Sequence, residues 1–211
     1  MAFTKITHNY VIYEKRKYRV NLSFRLVMMY FQIMQDEGLT IEEKIELASR
    51  ALIVDDVSEL KLTDRMKLLK QVYDEKIMTE RDQRQAKLSK SGKAVFDFDQ
   101  DSDLITAGFQ QQYDIDLDTA QINWHKFTAM LDGLTDDTQF RKVIQYRTMK
   151  ISDDMPSEQQ EFIKQMKLLF SLDKHKSGEK LSRQELELEL ASLDMPHKVL
   201  KIKELKEKGL I

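Results

Sequence analysis

The pattern of apolar and polar residues changes from strand-like to helical near residue 23. Aromatic and β-branched residues at 10–13 and 18–20 flank a polar turn at 14–17, and this pattern favours a β-hairpin over 9–21. After Ser23 the apolar residues recur at every third or fourth position, which is the period of an amphipathic helix. The sequence therefore predicts a small N-terminal β-hairpin followed by helices, in a mainly α fold.

Capping residues and glycines mark the predicted helix ends in the first half of the chain. Ser23 can cap a first helix, and Gly38 follows the end of that helix. Thr40 and Glu43 match a capping box, in which each side chain accepts a hydrogen bond from the backbone N–H of the other residue. The predicted helices here span about 23–37, 40–52 and 63–85.

The second half of the chain is predicted to form a helical, bundle-like module. Gly133 and Gly209 fit helix ends, and Pro156 fits a first helical turn. The predicted helices span about 102–113, 118–132, 136–148, 156–171, 183–192 and 197–208. The residues expected in the core of this module are Trp124, Phe127, Leu131, Phe140, Ile144 and Phe162.

Composition agrees with a helical chain and excludes several kinds of site. Only six glycines and two prolines occur in 211 residues, and charged residues make up 33%. The chain has no cysteine, which excludes disulfides, thiolate catalysis and cysteine-ligated zinc. No apolar run approaches the roughly 18 residues of a membrane span, and residues 1–20 lack the apolar core of a signal peptide. We therefore expect a soluble intracellular protein.

The charge distribution suggests two modules joined by a linker. Residues 1–93 carry 18 Lys and Arg against 14 Asp and Glu, whereas residues 94–211 carry 16 against 22. The change follows a stretch of Lys, Ser and Gly that is typical of flexible segments. We predict an N-terminal hairpin and helical module at 1–86, a basic flexible linker at 87–95 and a helical module at 96–211.

Residues 96–103, FDFDQDSD, place four aspartates at alternate positions, as a calcium loop would. An EF-hand loop beginning at Asp97 needs glycine at its sixth position and glutamate at its twelfth. Ser102 and Gly108 stand at these positions instead. We therefore interpret the stretch as an extended segment that anchors two phenylalanines, followed by a helix that Asp101 or Ser102 caps.

A second calcium-like loop, DKHKSG at 173–178, is also incomplete. Gly178 is at the sixth position, but Gln184 is at the twelfth, and the lysines of the loop would repel a cation. Ser182 and Glu185 fit a capping box, so we interpret the segment as a loop followed by a helix start.

No catalytic or cofactor-binding motif is present in the sequence. The four histidines are scattered, and the chain has no glycine-rich phosphate loop, nucleophile elbow or recognisable pair of catalytic carboxylates. We predict no catalytic residue, no cofactor and no metal ligand, and we do not expect an enzyme. The sequence does not assign a partner-binding surface.

Two basic segments make nucleic-acid binding a rival hypothesis. Residues 14–19 read EKRKYR, and residues 81–93 hold five Lys and Arg against one Asp; such clusters can neutralise phosphates. The chain nevertheless has a net charge of −2, and no helix-turn-helix or RNA-binding signature is visible. Solvated loops explain both segments, so nucleic acid is the weaker expectation.

A series of short motifs follows the aspartate-rich stretch in a fixed order. The motifs are FQQQYDIDL at 109–117, INWHKF at 122–127, LDGL at 131–134, DTQF at 137–140 and YR at 146–147. Their order and spacing, over about 96–172, resemble the bacteriophage gene-product-fifteen family of siphophages and prophages of Gram-positive hosts. Two positions depart from that family's usual pattern, since Asp114 replaces a glycine and His125 replaces a second tryptophan. Asp114 ends a helix where a left-handed backbone is expected, which Asp tolerates.

The resemblance implies a tail assembly chaperone. Such a protein binds the long, helical tape measure protein and keeps it soluble until tail-tube subunits assemble around it. The tape measure protein is thus the expected partner, with the major tail protein and a second copy of the chain as further candidates. The implied location is the cytoplasm of the infected or lysogenic host, outside the mature virion. The alternatives are a nucleic-acid-binding phage regulator that uses residues 81–93, and a structural tail component.

Overall fold

A computed structural model of the chain describes residues 9–78, 95–172 and 202–203. The chain divides into two compact units, Met1–Ile144 and Gln145–Ile211, which we call the first and second units. The fold is mainly α with an N-terminal β-hairpin, as the sequence predicts. Within the described residues, no helix is long and apolar enough to cross a membrane.

The N-terminal hairpin is confirmed, with a tighter turn than predicted. Strand β1, Tyr10–Tyr13, pairs antiparallel with strand β2, Arg16–Arg19, and places Val11 opposite Tyr18. Both of these side chains are buried. The two turn residues, 14–15, have φ angles of 47° and 68°. Such left-handed turns suit hairpins because their twist matches that of the strands.

The helices have the following order. In the first unit they are α1 (Phe24–Gln35), α2 (Ile41–Leu52), α3 (Leu62–Val72) with a π-helical turn (Tyr73–Ile77), α4 (Ser102–Tyr113) and α5 (Trp124–Asp132). Helix α6 (Gln139–Thr148) contains the boundary between the units, and α7 (Ser157–Leu169) belongs to the second unit. Gly133 follows the end of α5, as predicted, and Pro156 lies immediately before α7.

Helix α2 begins with the predicted capping box. The backbone N–H of Glu43 donates to Thr40 Oγ1 (3.3 Å), and the backbone N–H of Thr40 donates to Glu43 Oε2 (2.8 Å). Beyond this cap, Ile45, Ala48 and Leu52 are buried at the helical spacing of one face. The sequence therefore determines both the start of α2 and the side that packs on the core.

The predicted third helix is interrupted at Met78. It is α-helical to Val72, widens into the π-helical turn Tyr73–Ile77, and gives way to an extended backbone at Met78, with φ −70° and ψ 118°. The prediction of a continuous helix over 63–85 is therefore wrong at Met78, and residues 79–85 lie outside the described part of the chain.

The helix predicted over 118–132 begins only at Trp124. The carboxylate of Asp116 accepts a hydrogen bond from the backbone N–H of Asp118 (2.8 Å), which holds these residues in a turn. The side chain of Asn123 then accepts a hydrogen bond from the backbone N–H of Lys126 (2.8 Å) and caps α5. Because of these local side-chain hydrogen bonds, the helix begins several residues later in the sequence than predicted.

One hydrophobic core joins residues 9–78 with residues 95–144. The backbone N–H of Phe24 donates to the carbonyl of Ile122 (3.0 Å), and that of Trp124 donates to the carbonyl of Leu22 (2.7 Å), so the starts of α1 and α5 are paired directly. The two compact units divide after Ile144, and the division predicted at the linker 87–95 stays a prediction.

Several predicted features lie outside the described residues. They are the linker 87–95 apart from Val95, the basic segment 81–93, the loop 173–178, the helix at 183–192 and the helix at 197–208 apart from residues 202–203, which are helical.

The predicted core residues are buried in the first unit but not in the second. Trp124, Phe127, Leu131 and Phe140 are buried, and Ile144 is half-buried against the same core. The prediction for Phe162 is wrong, because 49% of its surface is exposed. In the second unit, the rings of Phe162 and Tyr146 form a T-shaped pair with their centres 6.2 Å apart.

Candidate partner-binding surface

The aspartate-rich stretch forms a loop held together by its own side chains. Asp97 Oδ1 accepts hydrogen bonds from the backbone N–H groups of Asp99 (3.0 Å) and Gln100 (2.9 Å). Asp101 Oδ2 accepts one from the backbone N–H of Asp97 (3.0 Å). These carboxylates therefore satisfy backbone donors of the loop. Among the residues that the structure describes, no group of three or more His, Cys, Asp or Glu is arranged to hold a metal ion.

The predicted capping role of this stretch is wrong in detail. Asp101 occupies the position before α4, but its side chain makes no capping hydrogen bond to that helix. It is buried and faces back into the loop, towards Asp97. Ser102 lies inside the helix and donates its hydroxyl to the carbonyl of Asp99 (2.9 Å). The stretch thus fixes the loop before the helix, and not the first turn of the helix itself.

The two phenylalanines of the stretch anchor it to the core, as predicted. The ring of Phe98 lies 5.9 Å from that of Trp124 and 6.4 Å from that of Phe31. The ring of Phe96 lies 5.6 Å from that of Phe140. The segment 96–103, which resembles a calcium loop in sequence, therefore joins α1, α5 and α6 through aromatic contacts.

The most distinctive aromatic motif, INWHKF, also builds the core. Trp124 is buried, and its indole N–H donates to the carbonyl of Ile77 (2.8 Å) at the end of the π-helical turn. Phe127 stacks on Phe24 at 4.8 Å and on Phe109 at 5.2 Å. The aromatic residues of this motif therefore have a structural role in the core, and none of these contacts assigns the motif a role in binding.

The motif FQQQYDIDL has a similar structural role at the end of α4. Asp114 adopts the expected left-handed backbone, with φ 53° and ψ 40°. Next to it, Tyr113 donates its hydroxyl to the carbonyl of Met130 (2.8 Å). Gln112 donates its amide to the carbonyl of Gly133 (3.0 Å) and accepts the backbone N–H of Thr135 (2.8 Å). The motif therefore holds the end of α4 against the loop that follows α5.

The basic hairpin has partners within the molecule. The ammonium group of Lys17 lies 4.8 Å from the centre of the Tyr10 ring. The guanidinium of Arg19 makes two hydrogen bonds, of 2.7 and 3.0 Å, to the carboxylate of Asp55. These hydrogen bonds lower the pKa of Asp55 from its ordinary value, so the pair stays charged at neutral pH. Arg19 therefore has an acidic partner within the molecule, while its side chain stays 69% exposed.

Large apolar side chains that reach solvent mark surfaces open to a partner. In the first unit the most exposed are Ile12, Met29, Met34, Ile41, Leu47, Val54 and Met66. In the second unit they are Ile151, Phe162, Leu168 and Leu169. Single exposed apolar residues need no explanation, so the informative places are those where several apolar side chains converge.

Apolar side chains converge in a cleft on the outer side of α2. This cleft, which we call the α2–α3 cleft, has a volume of about 580 Å³ and is lined by Leu39, Glu42, Glu43, Glu46, Leu47, Leu62 and Arg65. Because Ile45 and Ala48 turn the opposite side of α2 towards the core, Leu47 is left 40% exposed. The first turn of α3 provides the other wall.

The charged lining of the cleft is predominantly acidic. Its only cation, Arg65, forms an ion pair with Glu46 and also donates to the carbonyl of Leu60 (3.1 Å). The hydrogen bond from the backbone N–H of Thr40 lowers the pKa of Glu43 from its ordinary value, so this carboxylate is ionised at neutral pH. Three glutamates against one arginine give the lining an excess of negative charge.

The second unit also carries an exposed apolar face, on α7. Ile163 is buried, but Phe162, Leu168 and Leu169 remain largely exposed. Glu161 and Lys164 lie on the same helix as an ion pair at 3.9 Å, so the charges there include both signs. This face is apolar, but it carries no charge pattern that identifies a partner.

The α2–α3 cleft is the feature that the sequence analysis missed. A signal was present, because Leu47 does not belong to the stripe of Ile45, Ala48 and Leu52 that faces the core. A single apolar residue outside the stripe needs no explanation, so Leu47 indicates a second contact surface only together with its neighbours. Its neighbours from α3 could not be recognised, because the approach of two helices is a tertiary feature.

The chain matches a known family over most of its described residues. A model of the Bacteriophage Gp15 protein family matches residues 7–172. No curated protein matches the chain, and no solved structure matches it. The matched range contains the hairpin, the aspartate-rich loop, all the motifs above and every residue that lines the α2–α3 cleft.

Proposed function

This chain belongs to the Bacteriophage Gp15 protein family and is a phage protein, and from this premise we propose that it is a tail assembly chaperone. In this role it binds the tape measure protein and keeps it soluble during assembly of the tail, without catalysing a reaction. The family match over residues 7–172 carries the proposal.

The physical need for such a protein follows from the nature of a tape measure. A long helical chain with an apolar face exposes that face until tail-tube subunits surround it, and exposed apolar surface leads to aggregation. A helical partner with an apolar cleft can cover such a face temporarily. The exposed apolar side chains of α2 and the α2–α3 cleft are compatible with this role.

The test is to express the tape measure protein of the same phage with and without this chain. We expect the tape measure protein to be recovered in the soluble fraction only when the chain is present, and the two proteins to co-elute. The phage with this gene deleted should then form no normal tails. Unchanged tape measure solubility and normal tails after the deletion would refute the proposal.

Two further measurements address location and the competing functions. We propose that the protein acts in the cytoplasm of the host cell and is absent from the virion, so mass spectrometry of purified particles should not detect it. Its presence at the level of tail subunits would indicate a structural tail component. A mobility shift with DNA or RNA at low salt, lost at high salt and after neutralisation of the Lys and Arg in 81–93, would indicate a nucleic-acid-binding regulator.

A further inference from the structure

We infer that the α2–α3 cleft is the docking site for a helix that presents an apolar stripe flanked by lysine or arginine. This inference rests on the proposed function and assigns that helix to the tape measure protein. It names both the surface of this chain that makes contact and the chemistry that the bound segment must have.

The apolar part of the cleft fits one side of a helix. Leu39 comes from the loop before α2, Leu47 from α2 itself and Leu62 from the first turn of α3. Leucines from three successive segments around a cleft of about 580 Å³ provide a place for the apolar side chains of an incoming helix. Binding would remove Leu47, now 40% exposed, from water.

The charged residues of the cleft determine which sign of charge a partner should carry. Glu42 and Glu43 line the cleft beside Glu46, while Arg65 is already paired with Glu46. A partner with basic residues beside its apolar stripe would meet carboxylates, and an acidic partner would meet repulsion. Charge complementarity thus favours a basic amphipathic helix over a neutral or acidic one.

The walls of the cleft are held in place before any partner arrives. The capping box fixes the start of α2, and Lys44 donates from its ammonium group to the carbonyl of Met34 (3.1 Å). On the other wall, Arg65 donates to the carbonyl of Leu60 (3.1 Å). A preformed site loses less conformational entropy on binding, so less of the binding free energy is spent on ordering the cleft.

The test compares charge substitutions at matched exposed apolar residues of the full chain. Leu47→Lys places a cation in the cleft, and Val54→Lys makes the same change at a residue that is 54% exposed and does not line it. We expect Leu47→Lys to weaken binding of the co-expressed tape measure protein by about tenfold or more, and Val54→Lys to leave it unchanged. Circular dichroism and thermal unfolding should show that both variants are folded.

Overlapping synthetic peptides that cover the tape measure protein provide the second measurement. Peptides that bind should carry an apolar stripe with an excess of Lys and Arg, and their affinity should fall with increasing salt. Glu42→Lys in the chain should weaken the binding of these peptides. Replacement of the peptide lysines by glutamate should abolish binding to the wild-type chain. Binding of acidic or neutral peptides with equal affinity would overturn the inference.

The outcomes separate this inference from the proposed function. If the wild-type chain retains no tape measure protein, the proposed function fails. If the wild-type chain retains it and Leu47→Lys retains it equally well, the function stands and the inference about the cleft is wrong. If Leu47→Lys instead dissociates a homodimer while tape measure binding persists, the cleft binds a second copy of this chain, and the inference is also wrong.

Discussion

The aromatic core of the first unit and the outer side of α2 use apolar residues for opposite purposes. In the core, Phe24 and Phe109 come from segments far apart in sequence, and both stack on Phe127 and are buried with it. On α2, Leu47 remains partly in water among carboxylates. The difference shows that the most distinctive motifs identify the fold, whereas a surface available to a partner lies on an ordinary amphipathic helix.

Replacement of Phe127 should produce the largest loss of stability. Phe127→Ala removes a fully buried ring that stacks on Phe24 and Phe109, and we expect it to lower the free energy of unfolding by about 3–5 kcal/mol. Phe162→Ala is the matched control, because 49% of that residue is exposed, and it should cost about 1 kcal/mol or less. Denaturant unfolding measures both values. Equal losses would contradict the distinction between buried and exposed rings.

The loop that carries Phe96 and Phe98 into the core provides the second prediction. Asp101→Ala should lower the free energy of unfolding by about 1–3 kcal/mol, because it leaves the backbone N–H of Asp97 without its carboxylate acceptor. Ser102→Ala removes only an exposed hydroxyl contact to Asp99 and should cost less. Thermal unfolding of the two variants provides the comparison. A larger effect at Ser102 would show that the helix start, and not the loop, is the important element.

Substitutions at the start of α2 measure how much the capping box stabilises this helix. Thr40→Ala removes the side-chain acceptor for the backbone N–H of Glu43 and should lower stability by about 1 kcal/mol. Thr40→Ser keeps the hydroxyl and should restore most of this loss. Hydrogen exchange should show increased opening of the first turn of α2 in the alanine variant. Identical exchange in both variants would contradict the role of the cap.

The smallest predicted effect is a pH dependence at the same cap. The hydrogen bond from the backbone N–H of Thr40 lowers the pKa of Glu43 from its ordinary value of 4.5 in the folded state. The ionised group therefore contributes stability above pH 4.5, and this contribution is lost as the pH falls through the lower pKa of the folded state. Glu43→Gln should reduce the acid-dependent part of the stability curve, whereas Glu42→Gln should change it less. A curve unchanged by Glu43→Gln would show that the hydrogen bond has no measurable role.

Local patterns predicted much of the fold because they act within a few residues. The hairpin followed from aromatic and β-branched residues at 10–13, and the start of α2 from Thr40 and Glu43. The left-handed backbone at Asp114 was expected from its place at a helix end. The prediction that Phe162 is buried was wrong, because burial depends on contacts with residues far away in the chain.

The candidate surface was not predictable in the same way. The sequence places Glu42, Glu43 and Leu47 on one predicted helix. They line a cleft only because Leu62 and Arg65 of another helix lie next to them. The stripe that contains Ile45 and Ala48 packs on the core and leaves the opposite side of α2 outside. Periodicity predicts that a helix has an apolar stripe, but it does not predict which helices meet at its edge.

By itself, the sequence determined that this is a mainly α chain with an N-terminal hairpin, and its motifs determined the resemblance to a phage family. Short-range rules were sufficient, since helix period, capping and turn geometry depend on neighbouring residues. Tertiary structure alone decided that residues 9–78 and 95–144 share one core, that FDFDQDSD joins that core through Phe96 and Phe98, and that α2 and α3 enclose an acidic, apolar cleft. These features require contacts between residues far apart in the chain, and such contacts are set by the joint burial of apolar surface and not by any local pattern.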